Sequence, residues 1–173
     1  MKNKCVFLDR DGVLNEDRPD YVYRIEDMVI PNGVVEALIE LKAAGFLLIV
    51  ITNQAGIAKG LYSRQDVRKF HQHFQDHCHG LLDDLYFSPH HPNVNSRSLT
   101  RKPDSLMLEK AMAKHNIDPQ YSWMIGDKIG DVQAGQKAGV RTIQIITTAP
   151  PLLLSDAVAP NLYQAAQIVR QQH

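Results

Sequence analysis

The 173-residue chain lacks the features that mark several large classes of protein. Its two cysteines, Cys5 and Cys78, are too few for a disulfide framework, so we expect a reducing, cytoplasmic location. No apolar run approaches the roughly 18 residues of a transmembrane helix, and no signal-peptide pattern follows Met1. Nineteen basic and nineteen acidic residues give zero formal charge, so no overall field attracts nucleic acid or anionic lipid. Any anionic ligand must therefore be held by a local arrangement of charges.

The length and the spacing of apolar segments predict a single α/β domain over residues 1–173. Short apolar runs predict five strands, at 5–8, 46–51, 82–87, 123–125 and 141–147. Segments with helical periodicity alternate with them, at 31–44, 63–79, 104–115, 131–138 and 161–171. Ser63 and Asp104 are the expected N-caps of the second and third helices. This alternation is typical of a doubly wound, Rossmann-like parallel sheet with helices on both faces.

Polar residues follow the predicted strands at their carboxyl ends, where such sheets bind ligands. The first strand ends in Asp9 and Asp11, and period-2 alternation places both carboxylates on one side. Other strand ends and one connection bring further polar residues to this edge, namely Thr52, Asn53, Gln54, Arg101, Lys102, Asp127, Lys128 and Asp131. Several carboxylates in one crevice need a counterion, and oxygen-only ligands suit Mg²⁺. The neighbouring cations would complement a further anion, for which phosphate is the natural candidate.

Motifs in this order resemble those of the haloacid dehalogenase (HAD) superfamily of aspartate-nucleophile phosphatases, over nearly the whole chain. They are residues 7–13 (Phe-Leu-Asp-Arg-Asp-Gly-Val), Thr52, Lys102 and residues 126–131 (Gly-Asp-Lys-Ile-Gly-Asp). A closer resemblance is to the D-glycero-D-manno-heptose-1,7-bisphosphate 7-phosphatases and the related histidinol-phosphate phosphatases. It is carried by residues 9–15, 52–60, 89–92, 101–103 and 126–128. The interval between the first two motifs has room for one helix and a flap but not for a large cap domain.

The resemblance implies a Mg²⁺-dependent phosphomonoester hydrolase. Asp9 would attack phosphorus and form an aspartyl-phosphate. Asp11 would protonate the leaving oxygen and then deprotonate the hydrolytic water. Thr52 and the amide of Asn53 would hold phosphate oxygens, and Lys102 would stabilise the transferring group.

The same resemblance implies which residues bind the metal and the substrate. The cation would be held by Asp9, the carbonyl of Asp11 and Asp127, so that an anionic nucleophile can approach an anionic phosphate. Asp131 would orient bound water or Lys128. The expected substrate contacts are Asn53, Gln54, Arg101 and Lys128, with Asp17, Arg18 and Asp20 in the loop after the first strand.

One departure from the family concerns a zinc loop of Cys-x-His and Cys-x-Cys type, which commonly precedes the Arg-Lys-Pro motif. Here Ser88, Ser98 and Thr100 stand where cysteines are expected, and His90 remains. Neutral hydroxyls are poor zinc ligands, and one histidine cannot make a tetrahedral structural site. We therefore predict no structural zinc.

Several functions remain open at this point. The first expectation is a monomeric enzyme acting on the 7-phosphate of a heptose bisphosphate, in the assembly of lipopolysaccharide; histidinol phosphate or another small phosphorylated metabolite is the alternative. A phospho-accepting receiver domain uses similar residues, but its third strand ends in Asp, where this chain has Phe87 and Ser88. No Gly-x-Gly-x-x-Gly follows a strand, which disfavours a dinucleotide site. The His-rich segment 71–79 is interpreted as the polar face of an amphipathic helix.

Overall fold

A computed structural model describes residues 2–146 and 154–172 of the chain. The strands are β1 Cys5–Leu8, β2 Leu47–Asn53, β3 Asp84–Ser88, β4 Trp123–Gly126, β5 Arg141–Ile145 and β6 Ala157–Ala159. They form a parallel sheet at the centre of the molecule, in the order β3-β2-β1-β4-β5-β6. The predicted parallel α/β sheet is confirmed, but the count of five strands is wrong, because β6 adds a sixth at the edge. The predicted end of the fifth strand, Thr147, lies outside the described residues.

Helices cover both faces of the sheet. The α-helices are α1 Val34–Ala43, α2 Arg64–His77, α3 Leu106–His115, α4 Ile129–Lys137 and α5 Leu162–Gln171. Alternate residues of β1 pack into two separate apolar clusters: Val6 and Leu8 pack with residues of α1 and α5, and Phe7 packs with residues of α3 and α4. This two-sided burial explains why β1 and β2 read as continuous apolar runs in the sequence.

The helix starts follow local capping chemistry. Ser63 caps α2 as predicted, because its hydroxyl accepts from the Asp66 amide while the Asp66 carboxylate accepts from the Ser63 amide. The predicted Asp104 cap is wrong: Ser105 precedes α3, and the Asp104 carboxylate instead contacts Lys137 Nζ at 2.8 Å. Helix α4 begins at Ile129, two residues before the predicted start, with the carboxylate of Asp131 accepting from the Lys128 amide at 2.9 Å.

The sheet order places one crevice at the centre of the molecule. Strand β1 lies between β2 and β4: after β1 the chain adds β2 and β3 on one side, and then β4 to β6 on the other. Sheets of this kind bind ligands where the strand order reverses in this way. In this register Leu8 lies beside both Val50 and Ile125, so β1, β2 and β4 end at the same edge. Between β1 and β2 the chain forms only the short 3₁₀ helix Ile25–Asp27 and α1, consistent with the absence of a large cap. In residues 2–146 and 154–172, no helix is long and apolar enough to cross a membrane.

Candidate active site

A cavity of about 210 Å³ opens at the carboxyl ends of β1, β2 and β4. The residues that line it are Asp9, Asp11, Thr52, Asn53, Lys102, Lys128, Gly130 and Asp131. All of them except Gly130 were expected from the sequence. The fold therefore brings together polar side chains from four separate segments of the chain.

Lys102 is the buried cation of this cavity. Its Nζ lies 2.8 Å from Asp9 Oδ1 and 2.6 Å from Asp131 Oδ1, and it donates to the carbonyl oxygen of Ile51 at 2.7 Å. These contacts use all three donors of the ammonium group. Burial lowers the pKa of Lys102, but the carboxylates of Asp131 and Asp9 outweigh that effect and raise it, so Lys102 carries a fixed positive charge.

Asp9 is almost fully buried beside Lys102. Its Oδ1 also accepts a hydrogen bond from the Arg10 amide at 2.7 Å, which fixes the side chain at the end of β1. Burial and the nearby Asp131 carboxylate raise the pKa of Asp9 to about 8, against the opposing effect of Lys102. A divalent cation at this carboxylate would favour its ionised, nucleophilic form.

Three carboxylates form a potential cation site. Asp9, Asp127 and Asp131 each present one oxygen, and these oxygens all lie within 4.8 Å of one another. Asp127 Oδ1 is buried and has no hydrogen-bond partner among the described residues, and burial raises the pKa of Asp127 to about 6. Gly12 has a φ of 90°, and a Cβ there would lie 2.5 Å from Asp127 Oδ2, so only glycine permits this approach. The unpartnered oxygen and the all-oxygen donor set fit a hard cation such as Mg²⁺.

Asp11 is held by four hydrogen bonds from three side chains. Oδ1 accepts from Arg10 Nε at 3.0 Å and from Asn15 Nδ2 at 2.9 Å. Oδ2 accepts from Arg10 Nη2 at 2.9 Å and from Gln54 Nε2 at 3.1 Å. The Arg10 guanidinium also lies 4.5 Å from the centre of the Phe70 ring. Sequence reasoning gave no role to Arg10 or Asn15, although both lie within residues 9–15 of the family resemblance; for Arg10, a cation between two aspartates was the available signal.

The side chains of Asn53 and Gln54 both make hydrogen bonds inside the protein, and of the two only Asn53 lines the cavity. The Asn53 side chain exchanges two hydrogen bonds with the backbone of Lys102, at 3.0 and 3.1 Å, and so holds the segment that carries Lys102. Gln54 is buried, and it does not line the cavity. Its Nε2 donates to Thr52 Oγ1 at 2.9 Å, and its Oε1 accepts from the Tyr62 hydroxyl at 2.8 Å. Sequence reasoning missed Tyr62.

An ion pair crosses the mouth of the cavity. Lys128 Nζ lies 2.7 Å from Asp17 Oδ2, which connects the start of α4 to the loop after β1. Burial lowers the pKa of Lys128, but the hydrogen bond with Asp17 and the other nearby carboxylates outweigh burial, so the pKa lies above its ordinary value. Arg18 and Asp20, which the sequence placed beside the substrate, pair with each other on the surface at 3.2 Å and do not line the cavity.

A hydroxyl cluster occupies the positions where the zinc-loop cysteines were expected. Thr100 Oγ1 lies 3.1 Å from Ser88 Oγ and 2.8 Å from Ser98 Oγ, so these hydroxyls connect the end of β3 to the segment before Arg101. Arg101 is partly buried, which lowers its pKa, and its Nη1 donates to the His90 carbonyl at 3.0 Å. The absence of structural zinc stays a prediction.

The fold and the carboxylate-lysine cavity are those of a HAD-like hydrolase. A family model described as HAD-hydrolase-like matches residues 99–165. The D,D-heptose 1,7-bisphosphate phosphatase from B. bronchiseptica, solved with magnesium and phosphate, has the same fold, with a TM-score of 0.87. It covers 98% of this chain and 99% of its own at 23% identity.

Relatives in sequence show which family of HAD-like hydrolases the chain resembles. The D-glycero-beta-D-manno-heptose-1,7-bisphosphate 7-phosphatase of Haemophilus ducreyi is 40% identical over 156 residues, covering 86% of this chain and 85% of that protein. The D-glycero-alpha-D-manno-heptose-1,7-bisphosphate 7-phosphatase of Burkholderia mallei is 40% identical over 158 residues, covering 84% of this chain and 81% of that protein. The chain is therefore a phosphatase that belongs to the D-glycero-D-manno-heptose-1,7-bisphosphate 7-phosphatase family.

Proposed function

We propose that this protein is a Mg²⁺-dependent phosphomonoester hydrolase that removes the 7-phosphate of D-glycero-D-manno-heptose 1,7-bisphosphate through an aspartyl-phosphate intermediate. The observation that carries the chemistry is the placement of Asp9 at the cavity, 2.8 Å from the buried ammonium of Lys102. The substrate proposal is supported by the names of relatives that are 40% identical over most of both chains.

The first half-reaction transfers the phosphoryl group to Asp9. The Asp9 carboxylate attacks phosphorus, an O–P bond to Asp9 forms, and the bond between phosphorus and the sugar oxygen breaks. Asp11 gives its proton to that departing oxygen. Lys102 supplies a fixed positive charge to the transferring group, and the Thr52 hydroxyl and the Asn53 amide hold its oxygens.

The second half-reaction regenerates the enzyme. Asp11, now ionised, takes a proton from a water molecule that attacks phosphorus, and the Asp9–phosphorus bond breaks to release inorganic phosphate. Asp9, the carbonyl of Asp11 and Asp127 would hold Mg²⁺, which when bound neutralises negative charge as nucleophile and phosphate approach each other. Asp131 also holds Lys102 in place, with an Nζ–Oδ1 distance of 2.6 Å.

Substrate choice is assigned to residues at and near the mouth of the cavity. Lys128 lines the cavity with an exposed side chain, and Arg101 directly precedes Lys102 without lining the cavity, so both would contact anionic or hydroxyl groups of the sugar outside the phosphate pocket. Asn53 would act from the end of β2, with Gln54 buried behind it and holding Asp11 and Thr52, while Asp17, Arg18 and Asp20 would form the flanking loop. We propose one phosphatase domain over residues 1–173, acting as a cytoplasmic monomer on a small phosphorylated sugar.

A substrate panel tests this function. Phosphate release would be measured from both anomers of the heptose bisphosphate, from histidinol phosphate and from unrelated sugar phosphates, with Mg²⁺ or with a chelator. We expect the highest kcat/KM for one heptose bisphosphate anomer and no turnover after chelation. A preference for histidinol phosphate would contradict the substrate, and full turnover without a divalent cation would contradict the mechanism.

A further inference from the structure

We propose that Tyr62 is a positioning residue for the acid-base group Asp11, acting through the side-chain amide of Gln54. The proposal rests on the function given above, in which Asp11 protonates the leaving oxygen. Neither Tyr62 nor Gln54 lines the cavity, so any effect on the reaction must pass through the residues they hold.

The hydrogen bonds fix the direction of the Gln54 amide. The Tyr62 hydroxyl lies 2.8 Å from Gln54 Oε1, an atom that can only accept, so the hydroxyl is the donor. The amide nitrogen must then face the other way, where it lies 3.1 Å from Asp11 Oδ2 and 2.9 Å from Thr52 Oγ1. Gln54 is 1% exposed, so no water replaces these partners at low cost.

Tyr62 is itself held in one position. A Cβ at Gly56 would overlap its ring, so the backbone at Gly56 packs directly against it. The ring of Tyr23 stacks on Tyr62 with centroids 4.9 Å apart, and Tyr21 meets it edge-on at 6.3 Å. Burial raises the pKa of Tyr62 to about 12, so its hydroxyl keeps the proton that it donates. The ring packing gives the Tyr62–Gln54 pair the rigidity that a positioning role requires.

Gln54 supplies a second donor to Asp11 Oδ2, beside that of Arg10. Asn15 binds Oδ1 alone, and Arg10 binds both oxygens from the side of Phe70. Together with Arg10, the Gln54 donor on Oδ2 limits rotation of the Asp11 carboxylate about its Cβ–Cγ bond. Proton transfer to a leaving oxygen depends on such alignment, because small displacements of a catalytic group cost large factors in rate.

The identity of the leaving group separates this role from a structural one. A sugar alkoxide leaves poorly without a proton, whereas p-nitrophenolate is stable as an anion and needs little help. For a covalent mechanism, kcat/KM includes only the steps up to departure of the leaving group. A residue that aligns the acid should therefore affect the sugar phosphate far more than the aryl phosphate.

The test compares kcat/KM of Tyr62→Phe on the heptose bisphosphate and on p-nitrophenyl phosphate. The variant keeps the ring and its packing and removes only the hydroxyl donor. We expect a loss of about tenfold on the sugar phosphate and less than about threefold on the aryl phosphate. Gln54→Met, which keeps the side-chain length without hydrogen bonds, should show the same bias. Tyr86→Phe is the control, because its hydroxyl contacts Asp84 away from the cavity, and it should leave both values unchanged.

Each other outcome overturns the proposal. Equal losses on the two esters would show that Tyr62 acts on folding or on the phosphate site rather than through Asp11, and no loss on either would show that the contact is dispensable. If Tyr62→Phe does not fold, the bias of Gln54→Met decides in the same way. Inactivity of the unsubstituted protein on both esters would contradict the proposed function and this inference together.

Discussion

The Lys102 ammonium and the Asp131 carboxylate form an ion pair of 2.6 Å in which each side chain is only 3% exposed. The other Asp131 oxygen accepts a hydrogen bond from the Lys128 amide at 2.9 Å, at the start of α4. Asp131 thus connects the start of α4 to the Lys102 ammonium, which in turn contacts Asp9. This connection makes the geometry of the cavity depend on a residue that need not react.

Asp131→Asn should weaken both the fold and the reaction. The new side-chain NH₂ group would face either the Lys102 ammonium or the Lys128 backbone N–H, and both of those groups are donors. The buried Lys102 ammonium would also lose one of its two carboxylate partners. We expect the free energy of unfolding to fall by about 1 to 3 kcal/mol in urea titration, and kcat to fall at least tenfold. Asp104→Asn, in an exposed ion pair with Lys137, is the matched control and should change stability by less than about 0.5 kcal/mol. Equal stability of the two variants would contradict the role of the buried pair.

Stability of the metal-free protein should depend on pH through Asp9 and Asp127. Their pKa values are raised from 3.8 to about 8 and about 6, mainly by burial, so the folded chain binds more protons than the unfolded chain in between. Their favourable contribution is fully present below about pH 4 and is lost as the pH rises through about 6 and about 8.

Since Mg²⁺ binds the ionised carboxylates, its effect on Tm should be larger at about pH 8 than at about pH 5. Thermal unfolding with and without Mg²⁺ checks this, with Asp127→Asn as the variant that loses most of the shift; a Mg²⁺ effect independent of pH would contradict it.

Lys128→Ala should impair binding more than chemistry. The ammonium lies at the mouth, contacts Asp17 and has an exposed side chain, so its removal should raise KM for the heptose bisphosphate by about fivefold to tenfold with little change in kcat. Asp17→Asn frees the ammonium and should lower KM. Lys137→Ala removes a similarly exposed lysine from an ion pair outside the cavity and serves as the control. A KM that is unchanged in Lys128→Ala and in Lys137→Ala alike would remove Lys128 from the substrate contacts.

Zinc content is decided by elemental analysis. The hydroxyls of Ser88 and Ser98 lie 3.1 Å and 2.8 Å from Thr100 Oγ1, and such neutral groups bind zinc poorly. We expect the purified protein to contain zinc well below one ion per chain. One zinc ion per chain would contradict this expectation and point to ligands other than these hydroxyls.

Much of the cavity could be predicted from the sequence because it depends on strand ends. Asp9 and Asp127 each follow a buried apolar strand and Thr52 lies near the end of β2, and in a parallel sheet those ends meet at one edge. The spacing of motifs then placed Lys102 and Asp131 in the same crevice, as the structure has them. Capping chemistry was equally local at Ser63, where the capping box is present.

What the sequence did not reveal depends on contacts between distant segments. The strand β6 has only three residues, Ala157–Ala159, and no periodicity can identify so short a strand before its pairing partner β5 is known. Asp104 is a good capping residue, but its carboxylate turns to Lys137 on another helix. The role of Tyr62 arises from packing against the loop after β1, which no local pattern encodes.

Transfer of the phosphoryl group to Asp9 is tested most directly by trapping the covalent intermediate. Asp11→Asn would be mixed with p-nitrophenyl phosphate and Mg²⁺, because this ester needs little acid assistance while the missing base slows hydrolysis of the intermediate. After an acid quench, mass spectrometry of the peptide that contains Asp9 should show the addition of one phosphoryl group, and Asp9→Asn should show neither the adduct nor phosphate release. Full phosphate release by Asp9→Asn, or a phosphoryl group on a different residue, would contradict the mechanism.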